Sequence, residues 1–381
     1  MIYLDNAATT YPKPDAVCER VLLAMREYCG NPGRSSHRMA MLAEREVFAC
    51  RVEAAELFGA EPENVIFTYN ATYALNMAIK CAYTSGAILI SDLEHNSVRR
   101  PARALTEYVR VFDSHPELPD GPERTARILD SIKLQLARTS PRAKLLVCTA
   151  ASNICGAVMP VAEIGRFCRE RGICFIVDGA QAGGVIDLNV KRDNIDALCL
   201  PGHKGLYGPQ GSGLMIIGEN TSFGRTFIEG GNGVNSLEAA MPGLPPERYE
   251  GGTLAVQNIA GLRAGMEFVR QRGIDRLREY ESGLAERFAD GLRGSLGGRV
   301  KIYAPLHRGG ILLFNIAGYG STEVSEYLDR QDICVRSGFH CSPLAHRRLE
   351  TGASGAVRVS FGAFNTVPEV NEAVRVLAKI K

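Results

Sequence analysis

Short apolar runs alternate with stretches of helical spacing through the first two thirds of the chain. Val17, Val21, Leu22 and Met25 recur at helical intervals, so residues 15–29 read as a helix with Asp15 at its N-cap. Residues 31–36 (NPGRSS) read as a loop and 37–58 as a second helix. Strands then follow at VIFTY (65–69), AILIS (87–91), YVRVF (108–112), KLLVCT (144–149), CFIVD (174–178), ALCLP (197–201) and LMIIG (214–218). The intervening helices are Thr72 to Lys80, a segment ending at Arg103, 122–138 and 160–171. This alternation predicts an α/β fold with a largely parallel sheet covered on both faces. In such sheets ligands bind beyond the carboxyl ends of the strands.

Residues 219–253 are glycine-rich and read as an irregular excursion. A helical stretch is expected from near Ala255 to about 294, then strands at 311–316, 333–337 and 356–361 and helices at 321–330 and 368–380. The second half thus reads as a smaller α+β unit. The expected division is a large domain over 15–254, with 1–14 and 255–381 in the small one.

Composition narrows the classes. With 381 residues, 45% apolar and 23% charged, the chain is ordinary globular material. A net charge of +2 gives no reason to expect nucleic acid or a membrane surface. No apolar run approaches a membrane span, and Asp5 and Asn6 stand where a signal peptide needs apolar residues, so the expected location is the cytoplasm. The eleven cysteines include no CxxC pair, so no metal site or dithiol motif is read; most are expected to be buried thiols.

Chemistry gathers at the predicted strand ends. Asp178 closes CFIVD, where it faces a ligand or caps the next helix. One unit later comes Pro201-Gly202-His203-Lys204-Gly205, whose glycines allow close backbone approach. A carboxylate followed by a lysine in a glycine-rich turn is what pyridoxal 5′-phosphate requires: the carboxylate keeps the ring nitrogen protonated, and the lysine binds the aldehyde. Cys341, in RSGFHC after a strand, is either an inert thiol or a loop nucleophile. Arg358, in VRVSF, is either a structural ion pair or a bidentate carboxylate site.

These segments, from LDNAATT to VRVSFGAFNT, resemble the class V aminotransferase family of fold-type I pyridoxal-phosphate enzymes, and within it the second group of cysteine desulfurases and selenocysteine lyases. The resemblance implies a large domain with a mostly parallel mixed sheet and a smaller α+β domain. It implies that Lys204 is the Schiff-base lysine, Asp178 the pyridinium partner, and His95 the imidazole stacked on the ring. Gln181 and Asn153 would bond the phenolic oxygen. Ala71, Thr72 and His203 would contact the phosphate, with Thr253 of EGGT reaching it across a homodimer interface. Cys341 would take sulfur from L-cysteine, held through Arg358 and Asn153, and pass it as a persulfide to an acceptor protein or small thiol. Selenocysteine, or another small amino acid, is the alternative substrate.

Two positions depart from the family pattern. Pro201 stands where a hydroxyl residue commonly donates to the phosphate, so that contact is either missing or supplied elsewhere, by Thr72 or Thr253. Phe339 replaces the first of two histidines before the cysteine. The 17 positions from Cys341 to Arg358 imply a short, ordered loop, in which His346 and Arg347 are expected at the surface.

Overall fold

A computed structural model describes residues 1–33, 37–219, 221–305, 307 and 309–380, so part of the expected 31–36 loop lies outside the described residues. Seven strands form one sheet in the spatial order Val65–Thr68, Gly213–Ile217, Ala197–Pro201, Cys174–Asp178, Ala143–Thr149, Ala87–Ser91, Val109–Phe112. Only Gly213–Ile217 runs against the others. The carboxyl ends of the other six therefore share one edge.

The strands are apolar on both faces because both faces are covered. Within Ala197–Pro201, Leu198 and Leu200 enter the core containing Ala43, Val47 and Ala54 of the helix Arg38–Phe58. Ala197 and Cys199 enter the opposite core, with Leu75, Ala78 and Ile79 of the helix Ala71–Ala82.

The small domain carries an antiparallel sheet ordered Arg336–Gly338, Ala356–Ser360, Ile311–Ile316, Val300–Tyr303. Val357 and Val359 bury against Phe288 and Leu292 of the helix Ile274–Leu296. Strand alternation then turns Ala356, Arg358 and Ser360 to the other face. The expected helix from 255 to 294 is two helices, Val256–Arg272 and Ile274–Leu296, broken at Gly273 with φ +84°. The strand Val300–Tyr303 and the helix Pro343–Arg348 were not anticipated from sequence.

The first fourteen residues span both parts. Ile2 and Tyr3 pair with Ile333 and Cys334. Thr9 and Thr10 hydroxyls and the Lys13 ammonium then donate to the carbonyl of His203, at 3.1, 3.1 and 2.7 Å. Among the eleven cysteines only Cys18, Cys29 and Cys341 are exposed, and all are free. No described helix is long and apolar enough to cross a membrane.

Candidate active site

Five strand ends converge on one cavity. Its lining includes Ala71 and Thr72 after Val65–Thr68, His95 and Ser97 after Ala87–Ser91, and Asn153 after Ala143–Thr149. Asp178, Gln181, His203 and Lys204 complete it. Eight of the residues singled out from sequence are thus brought together by the common edge.

Each wall has a local cause. Asn70 caps the helix Ala71–Ala82, its side chain accepting the Tyr73 N–H at 2.9 Å, which leaves the N–H groups of Ala71 and Thr72 at the helix's positive end for an anion. Thr72 Oγ1 lies 2.7 Å from Ser97 Oγ, a second hydroxyl in the cavity that sequence reading missed. Ser97 thus places a hydroxyl beside the same helix N-terminus, in a cavity that Pro201 also lines without one.

His95 caps the helix Asn96–Leu105: its Nδ1 accepts the Ser97 backbone N–H at 3.0 Å. The proton of the neutral ring is therefore on Nε2. Burial, reinforced by the Lys204 charge, pushes His95 down to about 4, so the ring is neutral at physiological pH.

Asp178 is 2% exposed, and one carboxylate oxygen accepts the Ala180 N–H at 2.9 Å. Burial raises its pKa, opposed by that hydrogen bond and by Lys204. Lys204 retains some open surface where it lines the cavity. Desolvation still brings it from 10.5 to about 8; Asp178 opposes the shift, while Arg358 and Arg336 add to it. Its neighbour Gly205 has no room for a side chain, since a Cβ there would sit 2.2 Å from the Gly183 carbonyl oxygen. His203 faces the cavity with a buried Nδ1 that lacks a partner.

A buried carboxylate, a lysine of lowered basicity, a neutral imidazole and a helix N-terminus with two hydroxyls fit pyridoxal phosphate. Each charged or polar part of that molecule has a counterpart on the wall.

Asn153 extends the site to the small domain. Its Nδ2 donates to the His340 carbonyl at 2.9 Å, and its Oδ1 accepts from Ser342 Oγ at 2.7 Å. The amide expected to bond the cofactor's phenolic oxygen thus also grips both sides of Cys341. On the other flank, the Cys341 carbonyl accepts the Asn96 N–H at 2.7 Å. Cys341 is exposed and has φ +58°, following His340 at φ +48°.

Arg358 is 3% exposed. It donates to the Asn153 carbonyl at 3.0 Å and to Asp5 Oδ1 at 2.7 Å, while its Nε is buried without a partner. The structural ion pair read from sequence exists, one buried donor is left unpaired, and Arg358 itself is not among the residues lining the Lys204 cavity.

Thr253 does not line this cavity. It borders a separate cleft with Tyr69, Gly213 and Tyr249. His346, expected at the surface, is buried at 2% exposure, because a helical turn from Pro343 folds it inward. Arg347 is exposed, as expected.

The profile of the class V aminotransferase family matches residues 2–372. The chain belongs to the class V aminotransferase family. Within reach of that family, it is 31% identical over its whole length to a probable cysteine desulfurase of Pyrococcus abyssi, covering 94% of that protein. It is 29% identical, again over its whole length, to a cysteine desulfurase of Serratia proteamaculans, covering 93%. The fold superposes on the apo structure of a cysteine desulfurase from Thermococcus onnurineus with TM-score 0.83 and 29% identity, covering 99% of this chain and 94% of that one. It matches the desulfurase CsdA of Escherichia coli with TM-score 0.81 and 26% identity, covering 98% and 93%.

Proposed function

We propose that the protein is a pyridoxal-phosphate-dependent cysteine desulfurase that converts L-cysteine to L-alanine and carries the sulfur as a persulfide on Cys341. The observation that carries this reading is the Asn153 bridge. One residue of the Lys204–Asp178 cavity also fixes the turn that presents an exposed thiol.

When bound, the cofactor supplies a sink for the electron pair left at the substrate Cα. Ala71 and Thr72, with the Ser97 hydroxyl, would hold its phosphate, Asp178 would keep its ring nitrogen protonated, and His95 would lie against it. Lys204 would be its anchor and, as a free amine, would take the Cα proton of the substrate, a task its lowered basicity suits. Arg358, whose guanidinium touches the Asn153 carbonyl at the cavity wall, is assigned the substrate carboxylate. The Cys341 thiolate attacks the substrate sulfur: the S–S bond forms, the C–S bond breaks with its electron pair passing to the carbon fragment, and that fragment takes up a proton and leaves as alanine. An acceptor thiol then takes the outer sulfur.

The protein acts in the cytoplasm as a homodimer in this reading, with Thr253 serving the partner subunit's phosphate. Its position outside the Lys204 cavity of its own chain supports that assignment. Borohydride reduction of the holoenzyme followed by peptide mapping tests the cofactor assignment. The fixed cofactor is expected on Lys204, and its appearance on any other lysine contradicts the reading.

A further inference from the structure

Beneath Cys341 lies a chain of three hydrogen bonds that the reaction as proposed does not use. Thr351 Oγ1 is 2.8 Å from His346 Nδ1, His346 Nε2 is 3.0 Å from His340 Nδ1, and His340 Nε2 is 3.4 Å from the Arg336 carbonyl oxygen. The two rings stack at 5.2 Å with 14° between their planes, and Phe339 packs its edge on His346 at 5.3 Å.

The last acceptor fixes the direction of the whole chain. A carbonyl only accepts, so His340 carries its proton on Nε2 and its Nδ1 is the acceptor. His346 must then donate from Nε2, and its Nδ1 accepts from Thr351. Both rings are neutral in this arrangement. Burial agrees with it, helped by the Arg358 charge: it holds His340 down to about 3 and His346 down to about 4.

Two consequences follow. Both ring nitrogens of His340 are occupied, so the histidine next to the nucleophile has none left to take the thiol proton. Its N–H instead ties residue 340 back to residue 336, across Gly338 at φ +97°. His340 and Cys341 continue that turn in the left-handed region, which L side chains rarely adopt without outside support.

We propose that His346 is a positioning residue for sulfur transfer: its Nε2–H holds the His340 ring on the Arg336 carbonyl, and the histidine pair holds the left-handed turn that presents the Cys341 thiol. The proposal rests on Cys341 being the sulfur-accepting nucleophile.

The test uses holoenzyme in single turnover with L-cysteine. Persulfide on Cys341 is quantified by alkylation and mass spectrometry, and the cofactor absorbance change on substrate binding is followed in parallel. His346→Leu keeps the bulk and removes the donor. Persulfide formation is expected to slow about ten-fold, the effect of a lost buried hydrogen bond, with the binding change unaltered. His346→Gln places an amide N–H where Nε2 stood and is expected to stay within about two-fold of the parent.

Nitrogen-15 spectra of the histidines, which need no turnover, are expected to show Nε2–H for both rings in the parent and, in His346→Leu, a shift of the His340 Nδ1 resonance as it loses its donor. If His346→Leu does not fold, Thr351→Val makes the same measurement, by freeing the His346 ring to flip. Parent-rate persulfide formation in His346→Leu, or a folded His346→Gln as slow as Leu, overturns the proposal. A parent enzyme that never carries persulfide on Cys341 fails at the earlier step and overturns the reading of the nucleophile instead.

Discussion

Asn153 and Ser342 are joined side chain to side chain at 2.7 Å, although 189 positions separate them in the chain. The bond links the end of a large-domain strand to the residue after Cys341. With the second bond from Asn153 to the His340 carbonyl, it makes the position of the thiol depend on the cavity wall.

Asn153→Ala removes both bonds. Sulfide release from L-cysteine is expected to fall by about ten- to a hundred-fold, the effect of two buried hydrogen bonds. The retained cofactor should fall much less than the rate does, because only one cofactor contact is lost while the phosphate and ring-nitrogen contacts lie elsewhere. Steady-state rates beside cofactor content measured after dialysis check this.

Lys204 makes the empty site unstable. Its folded pKa of about 8 lies below the ordinary 10.5, so between those values the unfolded chain binds more protons than the folded one. The cost is fully present below about pH 8 and fades as pH rises toward 10.5. Lys204→Met should therefore stabilise the cofactor-free protein at pH 7 by about 2 kcal/mol, allowing for water in the cavity, and the advantage should shrink at high pH. Urea melts of apo protein at pH 7 and pH 10 give both numbers.

Much of the site was legible because its residues sit immediately after apolar strands, where local sequence fixes both strand and ligand-facing loop. Asp178 and Lys204 belong to such segments. Other features depended on contacts that local pattern does not carry. The clamp of Thr9, Thr10 and Lys13 on the His203 carbonyl joins residues about 190 apart. His346 read as a surface residue because a six-residue helix is too short for an apolar period to mark its buried side. The reversed strand Gly213–Ile217 was found as a strand, but periodicity has no direction. The break at Gly273 was read through because apolar spacing resumes on its far side.

Arg51 and Glu250 form a buried pair at 2.6 Å, and Glu250 also accepts the Phe67 N–H at 2.7 Å. This fixes the segment bearing Thr253 to the edge strand. Glu250→Gln leaves the Arg51 charge buried and is expected to cost about 3–5 kcal/mol. It should also weaken dimerisation and phosphate retention together if Thr253 serves the partner subunit. Thermal melts and sedimentation velocity measure the two effects.

The central claim is that an exposed thiol and a half-buried lysine work on one substrate. Its most direct test is alanine and sulfide release from L-cysteine, with a thiol reductant, by the parent and Cys341→Ala proteins at full cofactor occupancy. The account predicts alanine and sulfide in equal amounts from the parent and neither from the variant, with the same cofactor absorbance in both. An inert parent, or a variant that releases both products at the parent rate, would contradict it.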